Sequence, residues 1–241
     1  MLVATVLGVA AIGAALWLTG QSSSGGGASG RDEVDDTAGQ PTVEIQIADT
    51  DIIGQFLPSG PQVGAGWIEV AREEVDASRL EGTPTGTCPV DGAGRTASAS
   101  VLLQKVRAVD IDQLVILAAE LYPDEAGAIA AAALFVTPPI IECMRVAMDA
   151  QLPAITNVDV VALPLTVAPP EGAELNGFSL QISVPRQSEV GYLAVAVLRR
   201  GRSIGIVVHV VSPLAPGPDT LDRLVAVLDD RIVPTLERLD G

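Results

Sequence analysis

Apolar positions along the chain follow three patterns: an unbroken run at the start, strand-length stretches through the middle, and a helical period at the end. The last is the clearest. Leu221, Leu224, Val225, Leu228, Ile232, Leu236 and Leu239 recur every three or four residues, which predicts an amphipathic helix over 219–239, kinked or broken at Pro234. In 202–211, Ile204, Ile206, Val208 and Val210 alternate with Val207, His209 and Val211. Both faces are apolar, so this strand should be central and covered on both sides. It joins 191–200 through Arg-Arg-Gly-Arg, a glycine-containing hairpin signal. Further strands are expected at 97–108, 158–167 and 177–185 and at 113–123, where Val115, Ile116 and Leu117 favour a strand over a buried helix turn, while 67–76 fits either a strand or a helix.

Two helices are expected between them. In 123–135 proline and acids precede an alanine-rich run, the usual order at a helix N-terminus. In 137–152 Thr137 can cap, and Ile140, Met144, Ala147 and Met148 share one face with Cys143 at its edge. A short capped helix is expected at 49–57, then a turn-rich loop to Trp67. Grouped strands and helices predict an α+β domain, a mainly antiparallel sheet packed against helices.

The N-terminal run changes the picture. Leu2 to Leu18 carries no charge and as a helix spans about 25 Å, close to a hydrocarbon core of about 30 Å. Gly/Ser-rich residues and then an acidic stretch, 31–41, follow it. The expected layout is a transmembrane anchor or uncleaved signal (1–20), a disordered linker (21–42) and an extracytoplasmic domain (43–241). Two other readings stay open: a cleaved signal peptide, with Gly13–Ala15 as the site, and a buried core helix. No Lys or Arg precedes the run, and one expectation is that a basic start lies upstream.

Composition adds exclusions. The chain of 241 residues is 48% hydrophobic but only 3% aromatic, so its core must be aliphatic. Its formal charge of −16 repels nucleic-acid phosphates and anionic lipid head groups, and no basic stripe offsets it, so no nucleic-acid partner is expected. The two cysteines, Cys88 in a Gly/Pro/Thr loop and Cys143 in the second helix, are about 55 residues apart. Facing an oxidising compartment they would form a disulfide; free thiols, a catalytic thiol and a metal pair are the other readings. His209 is the single histidine and lies in a strand, so neither a thiol–base pair nor a zinc set is expected.

Other motifs favour bland readings. Gly92 to Ala97 matches G-x-G-x-x-A but precedes a strand, where a dinucleotide site needs a helix. The acidic pairs Asp49/Asp51, Glu73/Glu74, Asp110/Asp112 and Asp229/Asp230 read as caps and solvated charge before metal ligands or an acid/base pair. Arg199, Arg200 and Arg202, with Arg186 nearby, read as a solvated turn before an anion site. Trp67 and Tyr192 read as core anchors before pocket walls. No catalytic, cofactor-binding or metal residues are expected.

The order of these features resembles a known group. Phe56 to Trp67, a cysteine in the following loop, the alanine-rich helix, Ile140 to Met148, the hairpin and the last long helix are similar to the PknH-like extracytoplasmic sensor domains of actinobacteria. The resemblance covers about residues 45–240. It implies an α/β fold with a cleft, held by disulfides, and a role in sensing or ligand binding. Kinase ectodomains of the family carry two bridges where this chain can make one, and no kinase motif is present. A membrane-tethered, non-enzymatic ligand-binding or sensor-like domain at the cell membrane, facing outside, is therefore expected. Its partners would be the membrane and a small-molecule or envelope ligand. A secreted form, an envelope assembly accessory and a hydrolase with a carboxylate pair are the alternatives.

Overall fold

The computed structural model describes residues 49, 52–70, 94–107, 110–151, 159–183, 190–211 and 218–240. Among the described residues seven strands form one sheet: β1 (Trp67–Val70), β2 (Ala97–Arg107), β3 (Asp110–Leu121), β4 (Asp159–Pro164), β5 (Glu174–Ser183), β6 (Val190–Arg200) and β7 (Ser203–Val211). Their spatial order is β1-β2-β3-β7-β6-β5-β4, and every neighbouring pair is antiparallel. β7 lies in the middle, and all nine of its residues are buried. The two-sided apolar pattern at 202–211 predicted this position.

Helices cover both faces. α1 (Gly60–Val63), a 3-10 turn at Ile53–Phe56 and the long α4 (Pro218–Asp240) lie on one face, against Leu103, Val115, Leu117, Ala196 and Val207. α2 (Glu125–Phe135) and α3 (Pro138–Gln151) lie on the other, against Ile116, Val195, Ile206 and Val208. The fold is thus α+β, as expected, with a helical layer on each side of the sheet. Alternation along each strand feeds the two cores with branched aliphatic side chains, a use for which few aromatics are needed.

Local chemistry sets the ends of the elements. The Asp124 side chain accepts from Gly127 N at 2.7 Å and caps α2. Thr137 does not act through its hydroxyl as a cap; Oγ1 donates back to Leu134 O at 2.9 Å. Gly201 closes the β6–β7 hairpin at φ 50°, a left-handed conformation that glycine adopts without a Cβ clash. At Gly205 α4 approaches β7 so closely that a Cβ would stand 2.8 Å from Leu228 and 2.9 Å from Ile232.

Three local expectations are corrected. Helix is present in the 49–57 stretch, with Asp49 and Ile52 helical and a 3-10 turn at Ile53–Phe56, but Asp49 is not its cap: its carboxylate is bound to Arg202 and Thr96. The 58–66 loop contains α1, stabilised where Ser59 N donates to Gln62 Oε1 at 2.8 Å. α4 runs through Pro234 without a break. Pro234 is exposed, so the carbonyl it frees can face water, while buried Leu228, Ile232 and Leu236 hold the helix from inside.

Candidate functional site

The arginines of the β6–β7 hairpin do not form a solvated turn or an open anion site. Arg199 and Arg200 are adjacent on a strand and therefore point to opposite faces. Arg199 binds Glu174 of β5 through Nε (3.0 Å) and Nη2 (2.6 Å), and Glu125 of α2 through Nη1 (2.7 Å). Arg200 donates from Nε and Nη2 to the two oxygens of Asp229 on α4, both at 2.7 Å. Arg202 donates to Asp49 at 2.9 and 3.0 Å and to Tyr122 O at 3.1 Å. Arg95 donates to Glu120 Oε1 at 2.9 Å, and the Tyr122 hydroxyl donates to the other oxygen at 2.7 Å. Four guanidinium groups thus face five carboxylates, which leaves no surplus positive charge for an anion. Arg186 lies outside the described residues.

The ionisation states follow. Burial alone would raise the Asp49 carboxyl, but hydrogen bonds from Arg202 and Thr96 outweigh it and hold the pKa below the usual value. Burial and the Glu120 charge push the Tyr122 hydroxyl far up, so it stays a donor. The Arg199 hydrogen bond holds exposed Glu174 below its ordinary value. Of the acidic pairs, Asp49 and Asp229 hold arginines and Asp230 is exposed. Asp51, Glu73, Glu74 and the side chains of Asp110 and Asp112 lie outside the described residues. Among the described residues no group of three or more His, Cys, Asp or Glu is placed to hold a metal.

The other end of the sheet is chemically different. Cross-strand pairing sets Glu69, Leu103, Val115, His209, Ala194, Ser179 and Leu163 in one row on the α4 face. The adjacent row on that face is Trp67, Lys105, Gln113, Val211, Tyr192, Gln181 and Val161. His209 is buried, and its Nε2 is 3.1 Å from Gln113 Oε1. In the tautomer that lets Gln113 accept, Nε2 carries the proton and Nδ1 has no partner among the described residues. Burial pushes this imidazole down to about 3, so it is neutral at physiological pH. Trp67 is a core residue, with Lys105 Nζ 5.9 Å above its ring, and Tyr192 is half-buried.

Along these rows burial falls from complete at His209 and Ala194, through half-buried Ser179 and Gln181, to 38% exposure at Leu163 and 50% at Val161. The α4 layer covers β7 and β6; Leu165 and Val167 pack against the same core and Leu165 overlies Gly177, so the exposed floor is the end of β4 and β5 that bears Val161, Leu163, Ser179 and Gln181. Two apolar side chains and three half-buried polar ones, Ser179, Gln181 and Tyr192, line this floor, a composition that suits an amphipathic ligand. Sequence reading marked β4 and β5 as strands but not this floor, because exposure there depends on where α4 stops.

Cys143 is half-buried on α3, at the edge of the face that buries Ile140 and Met144, and no described cysteine is free. Cys88 lies outside the described residues, as do the expected anchor and linker, residues 1–42. No helix among the described residues is by itself long and apolar enough to cross a membrane.

The architecture defines an α+β protein with an antiparallel sheet between two helical layers. Among solved structures it is similar to the extracellular domain of PknH from Mycobacterium tuberculosis, at 9% sequence identity and a TM-score of 0.45, over 75% of this chain and 96% of that one. No protein-family model matches the chain. No curated protein matches it.

Proposed function

We propose that the protein is a non-enzymatic binding module of the cell envelope, tethered by Leu2–Leu18, facing outside, and taking an amphipathic small molecule on the β4–β5 floor. The observation that carries this reading is the row Leu163–Ser179–Ala194–His209, which passes from exposed to buried side chains within one continuous face. The apolar run, the Gly/Ser-rich stretch after it and the Cys88–Cys143 pair support the tether and an oxidising compartment. A second reading, a protein partner, is favoured by β4 itself. β4 ends the sheet, its residues 161–164 are exposed, and its outer edge has no partner strand among the described residues, so an extended peptide could add there.

Two measurements test the proposal. Intact mass of protein purified from its native envelope should rise by about two daltons on reduction if the cysteines are bridged. Two free thiols would remove the oxidising-compartment argument. A thermal-shift screen of amphipathic envelope compounds should find stabilisers whose effect is lost in Leu163→Glu. Because Leu163 is part-exposed, that variant should keep its own stability within about 0.5 kcal/mol. A stabiliser equally effective on Leu163→Glu would place binding elsewhere.

A further inference from the structure

α2 has no polar side. Its inner face buries Ala128, Ala131, Ala132 and Phe135 in the sheet core. Its outer face is Ala126, Ile129, Ala130, Ala133 and Leu134, with Ile129 49% and Leu134 43% exposed. No charged residue occurs from Ala126 to Ile141, in a chain of net charge −16. A surface helix normally turns charge to water, so an uncharged outer face marks a surface meant to be covered. α2 and the first part of α3, Glu125–Phe135 and Pro138–Arg145, together have the length and composition of a membrane span. They are bent by 47°, and their inner faces are committed to the sheet, so the pair can lie on a bilayer but cannot cross it.

The position of the tether selects the occupant. One guanidinium, that of Arg202, binds both Asp49 and the carbonyl of Tyr122. Asp49 is the first described residue, and Tyr122 lies three residues before α2 begins. The first described residue after the apolar run and linker therefore lies beside the start of α2. About 30 residues, Gly/Ser-rich and then acidic, separate Leu18 from Asp49, and a flexible chain of that length would span roughly 30 Å. The bilayer holding the anchor is then within reach of the α2 face at all times. A second copy fits less well: α2 is only about 16 Å long, a small part of the 800 Å² or so per partner that a stable interface needs.

We propose that the outer face of α2, through Ile129 and Leu134, docks on the lipid surface that carries the anchor. This rests on the tethered reading given above. The apolar area is small, so docking depends on the tether keeping the bilayer near. With no basic residue on the face, docking requires no anionic lipid and is insensitive to salt.

The test uses the full chain in phosphatidylcholine vesicles with brominated acyl chains, which quench nearby tryptophan. Trp17 reports on the anchor, because Trp67 is buried in the domain. In a Trp17→Phe background, Leu134→Trp places a reporter on α2. The expected result is roughly twofold quenching of that reporter, unchanged in high salt and abolished by adding Ile129→Glu. Quenching of Trp17 without quenching of the Leu134→Trp reporter would overturn the docking and leave the tether standing. Quenching at neither position would overturn both. Quenching that survives Ile129→Glu, in protein whose far-ultraviolet circular dichroism is unchanged, would also overturn docking through this face.

Discussion

Arg199 and Arg200 are consecutive, yet each is bound to a different layer of the molecule: Arg199 to Glu125 on α2, Arg200 to Asp229 on α4. The alternation of a β-strand turns two adjacent like charges into fasteners for opposite faces. The next residues, Gly201 and Arg202, complete the turn and bring in Asp49. One short hairpin thus joins the sheet, both helical layers and the N-terminal approach.

Arg200 and buried Asp229 form a two-pronged pair. Arg200→Ala leaves the Asp229 carboxylate without its counter-charge, and should cost about 3 kcal/mol in urea unfolding. Arg200→Met with Asp229→Leu removes both charges and fills the space, and should cost far less. Equal losses in the two proteins would mean that packing, not charge, makes the pair important.

His209 predicts an acid sensitivity. Its folded pKa, about 3, lies below the ordinary 6.5, so the unfolded chain binds a proton that the folded one refuses. The neutral form's contribution is fully present above pH 6.5 and is lost as pH falls from 6.5 towards 3. Each pH unit within that window should remove up to about 1.4 kcal/mol. In His209→Leu the slope between about pH 6.5 and 4.5 should flatten. An unchanged slope would assign the acid sensitivity to other groups. Asp49, whose pKa is depressed, acts lower: its contribution is present above its unfolded value of 3.8 and is lost as pH falls through its folded value.

Two glycines in the sheet should differ in their response to a methyl group. At Gly205 the new Cβ would meet the ends of Leu228 and Ile232, which can shift, so Gly205→Ala should cost about 1–3 kcal/mol. At Gly177 it would meet the backbone carbonyl of Val195, which belongs to the β5–β6 ladder and cannot turn aside. Gly177→Ala should therefore be the more damaging, measured as the larger fall in melting temperature. The reverse order would show that α4 is the stiffer neighbour.

What was legible in the sequence was periodic. The alternation at 202–211 located the central strand, and the spacing from Leu221 to Leu239 located α4. The order Pro-Asp-Glu before the alanines located α2. What depended on distant partners was not legible. Arg200 and Asp229 are 29 residues apart, and Arg202 and Asp49 are 153 apart, so nothing local separates a fastening arginine from a solvated one. Asp49 was read as a cap because it stands before an apolar stretch, but its carboxylate is bound by Thr96 and the distant Arg202. Pro234 was read as a kink or break; the helix is unbroken there, because propensity counts the lost hydrogen bond and not the buried apolar residues on the opposite side. The β4–β5 floor was hidden for a similar reason: Leu163 and Ala194 look alike in sequence, and the reach of α4 distinguishes them.

The bond between Asp49 and Arg202 also fixes how the domain bears a mechanical load. A pull applied at Asp49 is resisted by that bond before it can reach β1, an edge strand that could be unzipped one bond at a time. It is delivered at the turn preceding β7, the middle strand, and is shared at once by the ladders to β3 and β6. Strands loaded along their length from the centre of a sheet yield in shear, with many bonds resisting together. Load entering at Asp49 therefore meets the middle of the sheet before its edge.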